Sequence, residues 1–194
     1  MTIRLSYLYI ASFLAIILAS GCGSNPSSLI LGAMGIKKDP AFAPQKNISF
    51  QIHAAENLNA DDRGNGLSVV LKMYKLKDAT AFNEAQLDAL NDSASAQKLL
   101  GADLVESKEQ LLLPGQRYQF KEKIDAKNGF IAIAVLFRNP NLKRWKLVME
   151  NADLKEDTPV IIGAHACAIN VSSGIPDRGD LDSKFLVSIA PCKK

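Results

Sequence analysis

Thiols and imidazoles are scarce in this chain, which has three cysteines and two histidines in 194 residues. His165 and Cys167 stand two apart, and on a strand that spacing would put imidazole and thiol on one side, as in a Cys-His dyad. Cys192 offers Cys167 another fate, a disulfide that leaves it inert. Zinc chemistry lacks its ligand set, because no CxxC pair accompanies His53 and His165. Asp61 and Asp62 beside Arg63 could meet a cation, but no EF-hand spacing follows them. Gly64, Asn65 and Gly66 lack the spacing and the Lys-Ser/Thr pair of a phosphate loop and read as turn residues. Asp177, Asp180 and Asp182 near Arg178 read as a solvated charged loop, and Lys37-Lys38 and Lys193-Lys194 as solvated tails. The expectation is a chain with no catalytic residues, no metal and no cofactor.

Cys22 has the most definite chemistry. Arg4 precedes an uncharged, mostly apolar run, and Ala19, Ser20 and Gly21 then lead into Cys22. That run of about 14 residues falls short of the roughly 20 that cross a bilayer as a helix. A basic start, an apolar core and small residues instead make a signal peptide, here residues 1–21. The small residues before Cys22 are those of a lipobox, with Ala19 where Leu is commoner, so Cys22 is expected to become the acylated first residue. Several acyl chains anchor stably where one is marginal. Gly23 stands where Asp would retain such a protein in the inner membrane, so the expected location is the periplasmic face of the outer membrane. Loss of the leader takes one of 23 basic residues and none of 20 acidic ones; this near balance argues against a nucleic-acid partner. Lipidation leaves Cys167 and Cys192 as an even pair in an oxidising compartment, either a disulfide or two buried thiols.

These residues need a scaffold. Residues 22–46 carry Ser, Gly and Pro without periodicity and read as a lipidated tether, in which Leu29, Ile30, Leu31 and Met34 either pack on the domain or lie near the lipid. Residues 47–194 read as one domain. Ile48, Phe50 and Ile52 alternate with Ser49, Gln51 and His53, the period of a half-buried strand. A second strand is expected over 67–76, after a polar connection too long for a hairpin, and long ordered loops often carry function. Phe82, Ala85, Ala89 and Leu90 recur at helical spacing with Asp78 or Thr80 as N-cap, and a second helix over 93–100 closes at Gly101. Together they make a helical insertion at about 78–100. Residues 104–113 and the alternating Tyr118, Phe120 and Ile124 flank Pro114-Gly115, the pattern of a hairpin. Residues 130–137 are a continuous apolar run, expected of a strand buried on both faces. Asn139-Pro140-Asn141 then breaks the chain before the alternating Trp145, Leu147 and Met149. The last strands are expected over 160–171, holding Cys167, and over 185–191, just before Cys192. The whole is mainly β, an antiparallel sandwich.

Three stretches in this order carry a resemblance. Val69, Val70, Leu71, Lys72, Met73, Tyr74, Lys75 and Leu76 come first, followed by Phe82 and Ala85. Leu113-Pro114-Gly115 is next, and Ala134, Val135, Leu136, Phe137 and Arg138 then lead to Trp145. The chain thereby resembles the TssJ (VasD/SciN) family of type VI secretion lipoproteins over about residues 47–150. The resemblance implies a transthyretin-like β-sandwich with a small inserted helical pair. It also implies an outer-membrane structural lipoprotein that binds the periplasmic C-terminal domain of the inner-membrane protein TssM, in a complex with TssL. In that family the loop between the first two strands takes part in binding. Here it comprises Asn59, Ala60, Asp61, Asp62, Arg63, Gly64, Asn65 and Gly66. Two departures stand out: Gly66 and Leu67 occupy the loop end where the family often has Pro, and the segment after Glu150 with its cysteines has no counterpart in the pattern.

A rigid adaptor is thus the leading expectation. The alternative is a periplasmic lipoprotein of another class that carries a small ligand or assists assembly, which an apolar cavity in the sandwich would favour. An enzyme is disfavoured for want of a nucleophile-base or paired-carboxylate constellation, and a cleft gathering His53 or His165 with acids would reopen it.

Overall fold

Alternation along β1 (Gln45–Ala54) turns Ile48, Phe50 and Ile52 inward with no exposed surface, while Asn47, Ser49, Gln51 and His53 face outward. In this computed structural model, which describes residues 43–176 and Cys192, the chain continues through β2 (Val69–Leu76) and three short helices, α1 (Thr80–Glu84), α2 (Leu87–Asn91) and α3 (Ser93–Leu100). Then follow β3 (Leu104–Leu112), β4 (Arg117–Asp125), β5 (Phe130–Val135), β6 (Lys146–Glu150), β7 (Val160–Ala164) and β8 (Ile169–Ser173). The strands form two four-stranded sheets, ordered β4-β1-β7-β8 and β3-β2-β5-β6. Every pairing is antiparallel except β1 with β7. The signal peptide, Cys22, most of the tether, residues 29–34, the charged loop at 177–182 and the strand expected over 185–191 lie outside the described residues. Gln45 and Lys46, assigned to the tether by sequence, are the first residues of β1 and pair with Asp125 and Ile124.

The core fills the space between the sheets. Ile48, Phe50 and Ile52 of β1, Val160 and Ile162 of β7 and Ile169 and Val171 of β8 come from one side; Leu71, Met73, Ile131, Ile133, Val135, Leu147 and Met149 come from the other. Phe50 stacks on Phe120 across β1 and β4, with ring centroids 5.7 Å apart. β2 and β5 are buried on both faces because the helical insertion covers the outside of their sheet. Small Ala132 and Ala134 there accompany Tyr74, whose ring lies 5.6 Å from that of Phe82 in α1.

The insertion differs from the expected pair of helices, because the helix expected from Phe82 to Leu90 is broken at Ala85 and Gln86, both extended. Lys146 of β6 accounts for the break. Its ammonium donates to the carbonyls of Phe82, Asn83 and Ala85 at 2.7, 2.8 and 2.6 Å, taking up carbonyls that a helix end leaves unpaired. Asp78 rather than Thr80 supplies the side-chain oxygen ahead of α1, accepting the Thr80 N–H at 2.8 Å. Asp92 caps α3 through Ser95 N–H, and Gly101 closes it with φ +53°.

Two further expectations are corrected. β3 and β4 flank Pro114-Gly115 but are not a hairpin: β3 pairs with β2, β4 with β1, and the turn crosses between sheets. Alternation reports which face of a strand is buried and not which strand lies beside it. The segment 160–171 is two strands, since His165 N–H bonds Ala168 C=O at 2.9 Å and reverses the chain. His165 and Cys167 therefore sit in a turn and not on one strand face.

Where β3 and β4 run along the open side of the sandwich, charge closes it. Glu122 of β4 points inward with its side chain 4% exposed and takes Lys75 of β2 and Lys108 of β3, each at 2.8 Å. Glu106 joins the same two lysines at 2.6 and 3.3 Å. This clasp spans both sheets, and Lys108 is held above its usual pKa, chiefly by the hydrogen bond to Glu122. Removing the buried member leaves Lys75 facing a neutral group. Glu122→Gln is expected to destabilise the fold by about 2 kcal/mol in urea unfolding, and the more exposed Lys108→Met by under about 1 kcal/mol. Equal effects from the two variants would show that the clasp is not organised around Glu122.

Candidate functional site

The connection from β1 to β2 is pinned before it reaches its tip. Leu58 is fully buried, and its carbonyl accepts Leu67 N–H at 2.7 Å, closing the loop base. Asn59 follows with φ +48° and only 7% exposure. Its N–H donates to His165 C=O at 3.0 Å, its Nδ2 to Ser68 C=O at 3.0 Å, and its Oδ1 accepts Arg138 N–H at 2.8 Å. Asn is among the few non-glycine residues that take a left-handed backbone at modest cost. Ala60 N–H bonds Ala166 C=O at 3.1 Å. Gly66 stands where a Cβ would lie 2.1 Å from Glu56 C=O and 3.1 Å from Pro114, which explains why this chain carries no Pro there.

Asp61 organises the tip. Its Oδ1 accepts the N–H groups of Arg63 and Asn65 at 2.8 and 2.9 Å, and its Oδ2 accepts Asn65 Nδ2 at 3.0 Å. Two backbone bonds, Gly64 N–H to Asp61 C=O and Asp61 N–H to Asn65 C=O, complete a closed turn. The carboxyl is held below its usual value, first by the Asn65 side chain and then by the backbone N–H of Asn65. Asp62 and Arg63 are thereby presented to solvent. Asp62 accepts from Arg138 Nη2 at 2.6 Å, an exposed pair of small net value.

Two other loops complete this end of the molecule. Residues 136–144 leave β5 beside the start of β2, with Leu136 N–H on Val70 C=O, and Asn141 N–H bonds Cys167 C=O at 2.8 Å. Arg144 is fully buried and anchors them through Nε to Ile169 C=O at 3.2 Å. Leu142 at their tip is 76% exposed. The turn bearing Cys167 supports both neighbours, and Cys167 is bonded to Cys192. The structure thus gathers the expected loop residues with Arg138 and Leu142, which sequence reasoning missed. Asn139-Pro140-Asn141 marked that second loop, but only the β2–β5 pairing shows that it lies beside the first.

Chemistry is less well supplied. His165 and Cys167 share a turn, but Cys167 is in the disulfide and His165 Nε2 meets Asn170 Oδ1 at 2.8 Å. Among the described residues no group of three or more His, Cys, Asp or Glu is placed to hold a metal. Asp61 and Asp62 are used within the end face.

A two-sheet sandwich presenting a braced polar loop at one end has the build of a binding scaffold. Residues 46–171 match the family described as "Type VI secretion lipoprotein, VasD, EvfM, TssJ, VC_A0113". Among solved structures, the T6SS lipoprotein TssJ1 from Pseudomonas aeruginosa is 30% identical, with TM-score 0.59, covering 69% of this chain and 99% of that one. A chain of a type VI membrane complex is 29% identical, with TM-score 0.59 and coverage of 66% and 98%. A chain in the structure described as the T6SS protein TssM C-terminal domain (869-1107) from EAEC is 30% identical, with TM-score 0.58 and coverage of 64% and 99%. Among curated proteins there is no match. The protein belongs to the TssJ family of type VI secretion lipoproteins. That family is structural and not known for enzymes, and membership implies a membrane-anchored lipoprotein facing the periplasm.

The Asp61 turn makes a pH prediction. A carboxyl whose folded pKa lies below its unfolded value stabilises the turn fully above that unfolded value, and the contribution is lost as pH falls through the folded one. In nitrogen–proton NMR spectra, the Arg63 and Asn65 amides are expected to hold their positions down to about pH 5 and to move only below the ordinary carboxylate value of about 4. Movement between pH 7 and 5 would contradict the assignment.

Proposed function

We propose that the protein docks, through loop 59–66 and the adjoining 138–143 segment, on the periplasmic C-terminal domain of TssM, in a complex that includes TssL, while acyl chains on Cys22 hold it to the outer membrane. The observation that carries this reading is the bracing of the loop. Asn59 and Asp61 spend their polar groups within the protein, whereas Asp62, Arg63 and Leu142 face outward on a prearranged surface, so little ordering entropy remains to be lost on binding. The similar chains in a type VI membrane complex and in the TssM C-terminal domain structure support the choice of partner. Arg63 is of a type enriched at interface centres, and Leu142 supplies apolar area on the adjoining loop. The leader, the small residues before Cys22 and Gly23 support the outer-membrane anchor.

A second reading, carriage of a small ligand, has one observation in its favour. A cleft of about 430 Å³ opens between β3 and β4, with Leu71, Met73 and Phe120 in its lining beside the charged clasp. Binding of an apolar fluorescent probe that is abolished by Met73→Trp would support it.

Docking is tested by titrating the protein in detergent with the TssM periplasmic C-terminal domain from the same genome. Arg63→Ala and Leu142→Ala are each expected to weaken binding at least about tenfold while leaving the thermal midpoint unchanged. Asp61→Ala should weaken it as well, by loosening the turn. Tight binding that survives all three substitutions would place the interface elsewhere.

A further inference from the structure

The helices cover one sheet, and among the described residues the outer face of the other carries a cluster of side chains distinct from those of the docking loop. Across that face runs a row set by strand register: Arg117 opposite His53, His53 opposite Gly163, and Gly163 opposite Asn170. Gly163 leaves a gap in the row. His165, two residues on, leans over it, its Nε2 2.8 Å from Asn170 Oδ1. A Cβ on Gly163 would fall 2.2 Å from that oxygen and 2.8 Å from the ring nitrogen, so the missing side chain admits the imidazole–amide pair. With the amide oxygen so placed, Nε2 is the donor of the pair.

Glu56 lies three residues beyond His53, past the end of β1, and its carboxylate rests on Gly115, whose Cβ would come 2.6 Å from Oε1. These groups line one cleft of about 400 Å³, with Ala55 and Ile161 as apolar wall. Both histidines of the chain are in it with one acid, Glu56, but among the described residues no second carboxylate lines it and no nucleophile is hydrogen-bonded to either ring, so the constellation an enzyme would need is not assembled there. The side chains of His53, Glu56 and Arg117 make no hydrogen bond or ion pair with one another or with other described residues. The charges of the β3–β4 clasp, by contrast, are spent on each other. A guanidinium, an imidazole and a carboxylate that line one cleft without pairing with one another suit a ligand bearing both charges. Arg offers a planar fork that matches a carboxylate.

We propose that this cleft binds a zwitterionic α-amino-carboxylate end group, its carboxylate on Arg117 and His53 and its ammonium on Glu56. The cleft is larger than a single small amino acid, which favours a peptide bearing such a group over the free form. Docking through the loop at the other site does not depend on it.

The test uses the full chain in detergent, followed by nitrogen–proton NMR. meso-Diaminopimelate, whose side chain ends in this group, and the tripeptide Ala-Glu-diaminopimelate are the probes. Saturable shifts at His53, Gly163, His165 and Asn170 are expected, with a dissociation constant near about 1 mM and tighter for the tripeptide. Arg117→Gln and Glu56→Gln, both at exposed positions, should each weaken binding at least about tenfold with the remaining spectrum unchanged. Propionate and ethylamine, which carry one charge each, should give no saturable response. The proposal is overturned if neither probe gives saturable shifts, if propionate binds as well as the probes, if the free form binds as tightly as the tripeptide, or if Glu56→Gln leaves the affinity intact.

Discussion

One buried side chain, Asn59, ties together the three loops at the end of the sandwich. Its left-handed backbone turns the chain out of β1 toward the tip, and its polar groups reach His165, Ser68 and Arg138 in three separate segments. Each contact satisfies a group that burial would otherwise penalise by about 1–3 kcal/mol. No apolar residue could do this, and a glycine would supply the turn without the side-chain bonds. The tip beyond it repeats the device on a smaller scale through Asp61, exposed and closed on its own backbone. Order at the solvent-facing residues therefore descends from a buried amide to an exposed carboxylate.

The sandwich itself is held in two ways. Between the sheets the contacts are apolar, and the outer face of β2 and β5 is covered by helices whose first break is occupied by Lys146. Burial holds the Lys146 pKa below its usual value, and the three carbonyls and the Phe82 and Trp145 rings, 5.4 and 4.9 Å from its nitrogen, receive the charge there. Along the β3–β4 side the closing contacts are ionic and run through Glu122. A polar closure costs desolvation that an apolar one would not, but it fixes the register of two strands that no hydrogen-bond ladder joins.

Much of this was legible in the sequence wherever burial follows a period. Ile48, Phe50 and Ile52 mark β1, the run from Phe130 marks a doubly buried strand, and Leu147 with Met149 marks β6. The β-sandwich with its inserted helices, and the family, followed from the order of those elements. What failed was adjacency. Pro114-Gly115 looks the same whether it joins neighbours in one sheet or crosses between two, and the turn at His165–Ala168 contains neither Gly nor Pro to announce it. Lys146 breaks a helix 61 residues earlier in the chain, at Ala85, which local propensity does not register. At the site, the loop from Asn59 to Gly66 was visible as a polar stretch of unusual length. Arg138 and Leu142 were not, because their place beside it comes from strand pairing.

The TssJ family assignment and the braced end face together support the proposed reading of the protein as a lipid-tethered adaptor whose recognition surface exists before its partner arrives. Hydrogen exchange of the protein with and without the TssM periplasmic C-terminal domain tests that claim most directly, since it reads each segment's backbone in one experiment. The account predicts added protection confined to residues 59–66 and 138–143, with β4 on the far edge of its sheet unchanged. Protection centred on β4 or on the helical insertion, with the end loops unaltered, would contradict it.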